Sequence, residues 1–211
     1  RALGRTAPPL SPVSAFLLAI FEYQPLTDRA VRFLVFILVL VMLPTELFVG
    51  SARADERPEA KFSLVDSAGN RVSEASYRGR FMLVAFGYTF CPDVCPTTLQ
   101  AISLVLDDLG EAAKDVQPVF ISIDPARDTP EIMGRYVAHF HPDIVGLTGS
   151  GADVAAAAEA FGATFKKVPR AGGNYLMDHS AYIDLFDRSG GYVYSFAYDD
   201  PIEKIVAITR K

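Results

Sequence analysis

Phe81-Met82-Leu83-Val84-Ala85-Phe86, then Gly87-Tyr88-Thr89-Phe90, then Cys91-Pro92-Asp93-Val94-Cys95-Pro96, sets an apolar run just before a pair of cysteines. The opening apolar run has the length and composition of a buried central strand. Residues 96–112 carry Leu99, Ile102, Val105, Leu106 and Leu109 three and four apart, which is one face of an amphipathic helix. The two cysteines therefore fall at a strand-to-helix junction, where side chains stand exposed at the end of a sheet. Unpaired backbone N–H groups at a helix start favour negative charge, lower thiol pKa values and supply thiolates for attack or for metal binding. The spacing of Cys91 and Cys95 brings both to one face of a helical turn. Pro96 suits the first turn of the helix that follows.

Outward from the pair, the pattern alternates between strands and helices. Phe62–Val65 reads as a short strand closed by the turn Asp66-Ser67-Ala68-Gly69. Val116–Ile123 is a second strongly apolar strand. Thr129 as N-cap and Pro130 at the first position open a helix to about Ala138. Ile144–Leu147 is a short strand, and Ser150 to Phe161 a helix ended by Gly162. Thr164–Val168, Ala181–Phe186 and Tyr192–Phe196 read as strands, the last two joined by the hairpin turn Asp187-Arg188-Ser189-Gly190. Pro169 to Asn174 reads as a turn-rich loop that leaves His179 near the start of the Ala181–Phe186 strand. Ile202–Ile208 closes the chain as a helix. This order predicts an α/β domain, a mixed sheet with helices on both faces.

The 211 residues are half apolar, which favours a globular core, and the formal net charge is -5. With no basic run longer than Lys166-Lys167, nucleic acid is excluded as the main partner. The chain is expected to divide into an irregular extension over 1–28, an export segment over 29–54 and one domain over 55–211. Arg29 and Arg32 precede the apolar run Phe33–Leu43, Pro44 breaks it, and Ala52-Arg53-Ala54 offers a small-x-small cleavage site. That is the pattern of a signal peptide. A membrane anchor is the rival, although the run falls short of the roughly 17–25 residues a span needs. Both readings send the domain across a membrane, out of the cytoplasm.

An oxidising compartment permits a disulfide, but closing so short a loop would constrain the unfolded chain little. Stapling is thus a poor reason for the pair, and chemistry a better one. Two thiolates suit a soft cation, Cu(I) above all and zinc less selectively, with a third ligand completing a trigonal site. The candidates are His139, His141, His179, Met82, Met133 and Met177. His139 and His141 flank Phe140 at a helix end, the usual place of a solvated or capping histidine. Met82 and Met133 fit core positions. Met177 lies close to His179. His179 itself, beside Asp178, fits a surface histidine as well as a ligand whose tautomer a carboxylate sets. A redox-active Cys91–Cys95 disulfide is the alternative chemistry, with three residues between the cysteines where redox enzymes usually carry two.

The string Gly87 to Pro96 closely resembles the signature of the SCO/SenC family of copper chaperones. Two further blocks agree in order: Ile121-Ser122-Ile123-Asp124-Pro125-Ala126-Arg127-Asp128-Thr129-Pro130 and Tyr175-Leu176-Met177-Asp178-His179-Ser180. The resemblance covers essentially residues 60–211. It implies a thioredoxin-like fold with an added β-hairpin, tethered to or secreted across a membrane, and copper, as Cu(I) with Cu(II) as a second state, held by Cys91, Cys95 and His179. It implies delivery of copper to the binuclear copper centre of a cytochrome c oxidase subunit, or reduction of that subunit's cysteines, rather than enzymatic turnover. The implied setting is the bacterial periplasm. Besides the oxidase subunit, the implied partners are another periplasmic copper chaperone or a thiol reductase. Within the second block, Asp124 and Arg127 read as a loop salt bridge with a helix cap beside it, or as a docking point. Tyr88 and Phe90 are expected to shape the pocket rim and pack against its floor.

Overall fold

The computed structural model describes residues 60–210. The expected extension over 1–28 and export segment over 29–54 lie outside the described residues. Among the described residues, no helix is long and apolar enough to cross a membrane.

In chain order, β1 (Ser63–Val65) and β2 (Arg71–Ser73) form a small antiparallel hairpin. Asp66 closes its turn by accepting from the Ala68 and Asn70 amides, each at 2.9 Å. β3 (Phe81–Gly87) leads into α1 (Val94–Leu109), and β4 (Val116–Ser122) into α2 (Pro130–Ala138). β5 (Val145–Leu147) is followed by α3 (Gly151–Ala160). β6 (Phe165–Pro169) and β7 (Tyr175–His179) pair with each other alone. β8 (Tyr182–Phe186), β9 (Tyr192–Ala197) and α4 (Ile202–Thr209) complete the domain.

The main sheet has the order β5-β4-β3-β8-β9, with β3, β4 and β5 parallel and β8 and β9 antiparallel to their neighbours. It is the mixed sheet with flanking helices that the sequence led us to expect, a thioredoxin-like arrangement with an extra hairpin. Every residue of β4 is buried, which explains its largely apolar character, and its two polar side chains, Gln117 and Ser122, are both hydrogen-bonded. Along β3, neighbours point to opposite faces. Phe86 meets Phe161, just beyond α3, edge to face at 5.3 Å, while Gly87 faces Cys95 of α1 and the Phe120 ring. α1 buries Leu99, Ile102, Val105, Leu106 and Leu109, the periodic set read from the sequence, and packs on α4. Thr129 caps α2 by accepting from the Ile132 amide at 3.3 Å, and Ser150 caps α3 in a reciprocal box with Asp153.

Beyond shifts of a single residue at element ends and the unexpected β2, three differences from expectation bear on the site and its helix. α1 begins at Val94 rather than Pro96, so Cys95 lies inside its first turn while Cys91 precedes it. The same helix stops at Leu109, where Gly110 takes φ 55 and a tighter turn continues to Asp115. Residues 175–179 are a strand of their own, and His179 is its last residue. A hairpin is assigned by its cross-strand partner, and β7 finds its partner in β6, which carries Lys166 and Lys167 in place of an apolar pattern.

Candidate metal centre

Gly87 ends the central strand because nothing larger fits. A Cβ there would lie 2.6 Å from the Phe120 ring and 2.7 Å from Cys95 Sγ. The chain then turns, the Cys91 amide donating to the Tyr88 carbonyl at 3.3 Å, and delivers Cys91 to the helix start. The Cys95 amide, one of the donors a helix leaves unpaired at its beginning, points at Cys91 Sγ at 3.4 Å. Cys95 itself is 1 % exposed. Both cysteines are free thiols.

His179 arrives from the satellite hairpin. Its Nδ1 lies 2.8 Å from the Ser180 carbonyl, which can only accept, so Nδ1 carries the proton. Nε2 is left with its lone pair toward the sulfurs, 3.6 Å from Cys95 Sγ. The tautomer is therefore set by a backbone carbonyl and not by Asp178, the neighbour the sequence suggested. Tyr88 packs edge-on against the imidazole with ring centroids 6.0 Å apart. The ligand atoms of Cys91, Cys95 and His179 all lie within 4.8 Å of one another.

Electrostatics divide the two thiols. A hydrogen bond with the Cys95 thiol, aided by His179 and the Asp93 and Cys95 amides, holds Cys91 far below the ordinary thiol range despite its partial burial. Its hydrogen bond to Cys91 and then burial push Cys95 in the opposite direction. The pair thus shares one negative charge, carried on the outer sulfur. Burial works against a charged imidazole at His179, but the bonds with Cys91 and the Ser180 carbonyl outweigh it and raise its pKa. Two sulfurs and one nitrogen of this kind form a soft, low-coordinate site of the sort Cu(I) prefers.

The other candidates are elsewhere. Met82 and Met133 are core residues, and Met177 is half-buried against the core. His139 caps the end of α2 with Nδ1 on the Arg135 carbonyl, and His141 Nδ1 accepts from the Asp143 amide at 3.1 Å. Tyr88 is buried, whereas Phe90 is 53 % exposed, so only the first packs inward and the second stands on the rim. Sequence reasoning missed the residues that brace the site. The Asp128 carboxylate, fully buried, accepts from the Thr89 amide at 3.2 Å, the Thr89 hydroxyl at 2.6 Å and the Ser122 hydroxyl at 2.6 Å. The buried acid in the second block was the one available signal, but its partners lie 39 and 6 positions away.

A family model described as SCO1/SenC matches residues 50–211. An SCO2-like protein of Rickettsia prowazekii is 35% identical over 151 residues, 71% of this chain and 74% of its own length. The copper-bound structure of ScoI from Bradyrhizobium japonicum is 42% identical with a TM-score of 0.68, covering 72% of this chain and 98% of that one. The solution structure of apo Sco1 from Thermus thermophilus is 36% identical with a TM-score of 0.67, covering 74% and 92%. Since the match spans the whole described domain, including all three blocks that meet at the two sulfurs and the imidazole, the chain belongs to the SCO1/SenC family.

Proposed function

We propose that this protein is a copper chaperone that takes Cu(I) on Cys91, Cys95 and His179 and delivers it to the binuclear copper centre of a cytochrome c oxidase subunit. The convergence of three donor atoms within 4.8 Å, on a histidine whose free nitrogen already faces the sulfurs, carries this reading. Such a set needs little rearrangement to take a soft monovalent ion, with Cu(II) as a second bound state. A partner with its own soft ligands can displace the imidazole first and then receive the ion from the sulfurs. A depression of about 300 Å³ lined by Thr164, Phe165, Lys166, Asp178, His179 and Ser180 opens beside that imidazole. In this reading residues 29–54 export or anchor the domain 55–211 in the bacterial periplasm. A second periplasmic copper chaperone would load it, or a thiol reductase would keep its cysteines reduced.

The lowered Cys91 thiol beside a protonated Cys95 favours one second reading, a thiol–disulfide oxidoreductase acting on the oxidase subunit's cysteines. Cys91 thiolate would attack the partner disulfide, forming a mixed disulfide and freeing one partner thiol; Cys95, passing its proton to the leaving sulfur, would then attack Cys91 Sγ, expelling the second partner thiol and leaving a Cys91–Cys95 disulfide. The two readings separate at His179. Chaperone function requires that His179→Ala abolish oxidase assembly while thiol exchange persists. Survival of assembly in that variant, but not in Cys91→Ser/Cys95→Ser, would decide for redox. Copper stoichiometry and affinity unchanged in the double cysteine variant would overturn the copper reading itself.

A further inference from the structure

The second sequence block holds the first to the third. Asp128 anchors Thr89, two residues before Cys91, as described above. Asp124 and Arg127 reach the other way, to the hairpin that carries His179. Arg127 Nε donates to Asp124 Oδ2, Nη1 donates to the Tyr175 carbonyl at 3.1 Å, and the Tyr175 hydroxyl donates to Asp124 Oδ1 at 2.8 Å. The guanidinium carbon lies 3.8 Å from the centre of the Tyr175 ring, 4.8 Å from that of Phe90 and 5.6 Å from that of Tyr88. Lys167 Nζ lies 3.5 Å from the centre of the Tyr175 ring. Tyr175 begins β7 and His179 ends it. This strand joins only β6, so no ladder bond of the main sheet fixes its far end.

We infer that Arg127, closed on Asp124 and Tyr175, is a positioning residue that sets His179 against the two sulfurs. The inference rests on the proposed copper reading. Near His179, the hairpin closes its own base through the Ser180 amide on the Thr164 carbonyl at 3.0 Å, and there Phe165 packs against the core and its two ends run on into the body of the domain. A strand held at that end alone can swing about it. The Arg127 clasp holds the other end, and a rigid strand between two fixed points fixes the imidazole. Arg127 also backs Tyr88, the ring packed on His179, so the same guanidinium limits the imidazole from two sides. Its side chain is 22 % exposed, and Nη2 is buried without an acceptor among the described residues. A buried orphan donor costs stability, which marks this residue as placed for geometry. Lysine cannot replace it, because one ammonium cannot span the Asp124 carboxylate and the Tyr175 carbonyl while lying flat on a ring.

The test compares the full chain with Arg127→Met, Arg127→Lys, His179→Ala and the Arg127→Met/His179→Ala double variant. Cu(I) affinity is read by competition with a chelator, and amide exchange is read in the metal-free proteins. Arg127→Met and Arg127→Lys should each weaken Cu(I) about 10-fold or more, as loss of an outer partner of a ligand does. The double variant should bind no more weakly than His179→Ala. Exchange at residues 175–179 should quicken in metal-free Arg127→Met, with residues 97–109 unchanged. Full affinity in Arg127→Lys, additive losses in the double variant, or unchanged exchange at 175–179 would each overturn the inference. Failure of the copper reading is distinct: the unmodified chain would then show no tight Cu(I) binding at all, whatever the exchange data gave.

Discussion

At the scale of single residues, the outer sulfur is the reactive one. Cys91 receives the helix-start amide and the Cys95 thiol, whereas Cys95 lies beneath Gly87 and Phe120. A thiol lowered far below its ordinary range stays ionised across neutral pH. Its alkylation rate in the reduced, metal-free protein should therefore be nearly flat between pH 6 and pH 8, where an ordinary thiol gains about tenfold per unit. Cys95 should react only after unfolding. Mass mapping of iodoacetamide adducts against time and pH checks both points, and labelling of Cys95 at the rate of Cys91 would contradict the division of charge. Residue identities at this site were legible: both cysteines and His179 were singled out, and the resemblance joined them. The agent that sets the His179 tautomer was not. Asp178 is adjacent in sequence, but on a strand neighbours point apart, and the Ser180 carbonyl took the role.

Among elements, β8 carries an unexpected cost. Asp184 sits in the middle of the sheet, opposite Val84 of β3 and Ser195 of β9, and is 7 % exposed. Burial pushes its pKa up to about 6, although the Ser195 hydroxyl donates to it at 2.6 Å. A carboxyl whose pKa is higher in the folded than in the unfolded state favours folding while protonated. Its ionisation therefore removes stability as pH rises from about 4 to about 6, and the full cost persists above that. Asp184→Asn should gain at most about 3 kcal/mol at pH 7 and nothing below pH 4. Urea titrations of both proteins at pH 4, 5, 6 and 7 measure this, and parallel pH curves would refute it. The periodic helices and the apolar strands were readable because their burial pattern is local. The strand of β6 was readable too, but its pairing with β7 was not, because Tyr175–His179 is half-buried and shows no clean alternation.

On the scale of the whole molecule, the proposed copper site ties a satellite hairpin to the main sheet. Ligand binding to the folded state alone stabilises it by mass action, about 2.7 kcal/mol at a free concentration of 100 times Kd. Cu(I) at that excess should raise the melting temperature by roughly 5–10 °C for a chain of this size. Cys91→Ser/Cys95→Ser should melt at the same temperature with and without copper, and an equal rise in that variant would place the binding elsewhere. The amino-acid string alone carries the α/β class, the strand-to-helix placement of the cysteines, the helix cap at Thr129, and the family. These follow from local periodicity, capping chemistry and contiguous strings of residues. It took the folded chain to show that β6 and β7 pair apart from the sheet, that Asp128 braces Thr89, and that Arg127 joins Asp124 to Tyr175. Those contacts link positions 39 and 48 residues apart, and a hydrogen bond between distant side chains leaves no periodic trace in the chain that folds to make it.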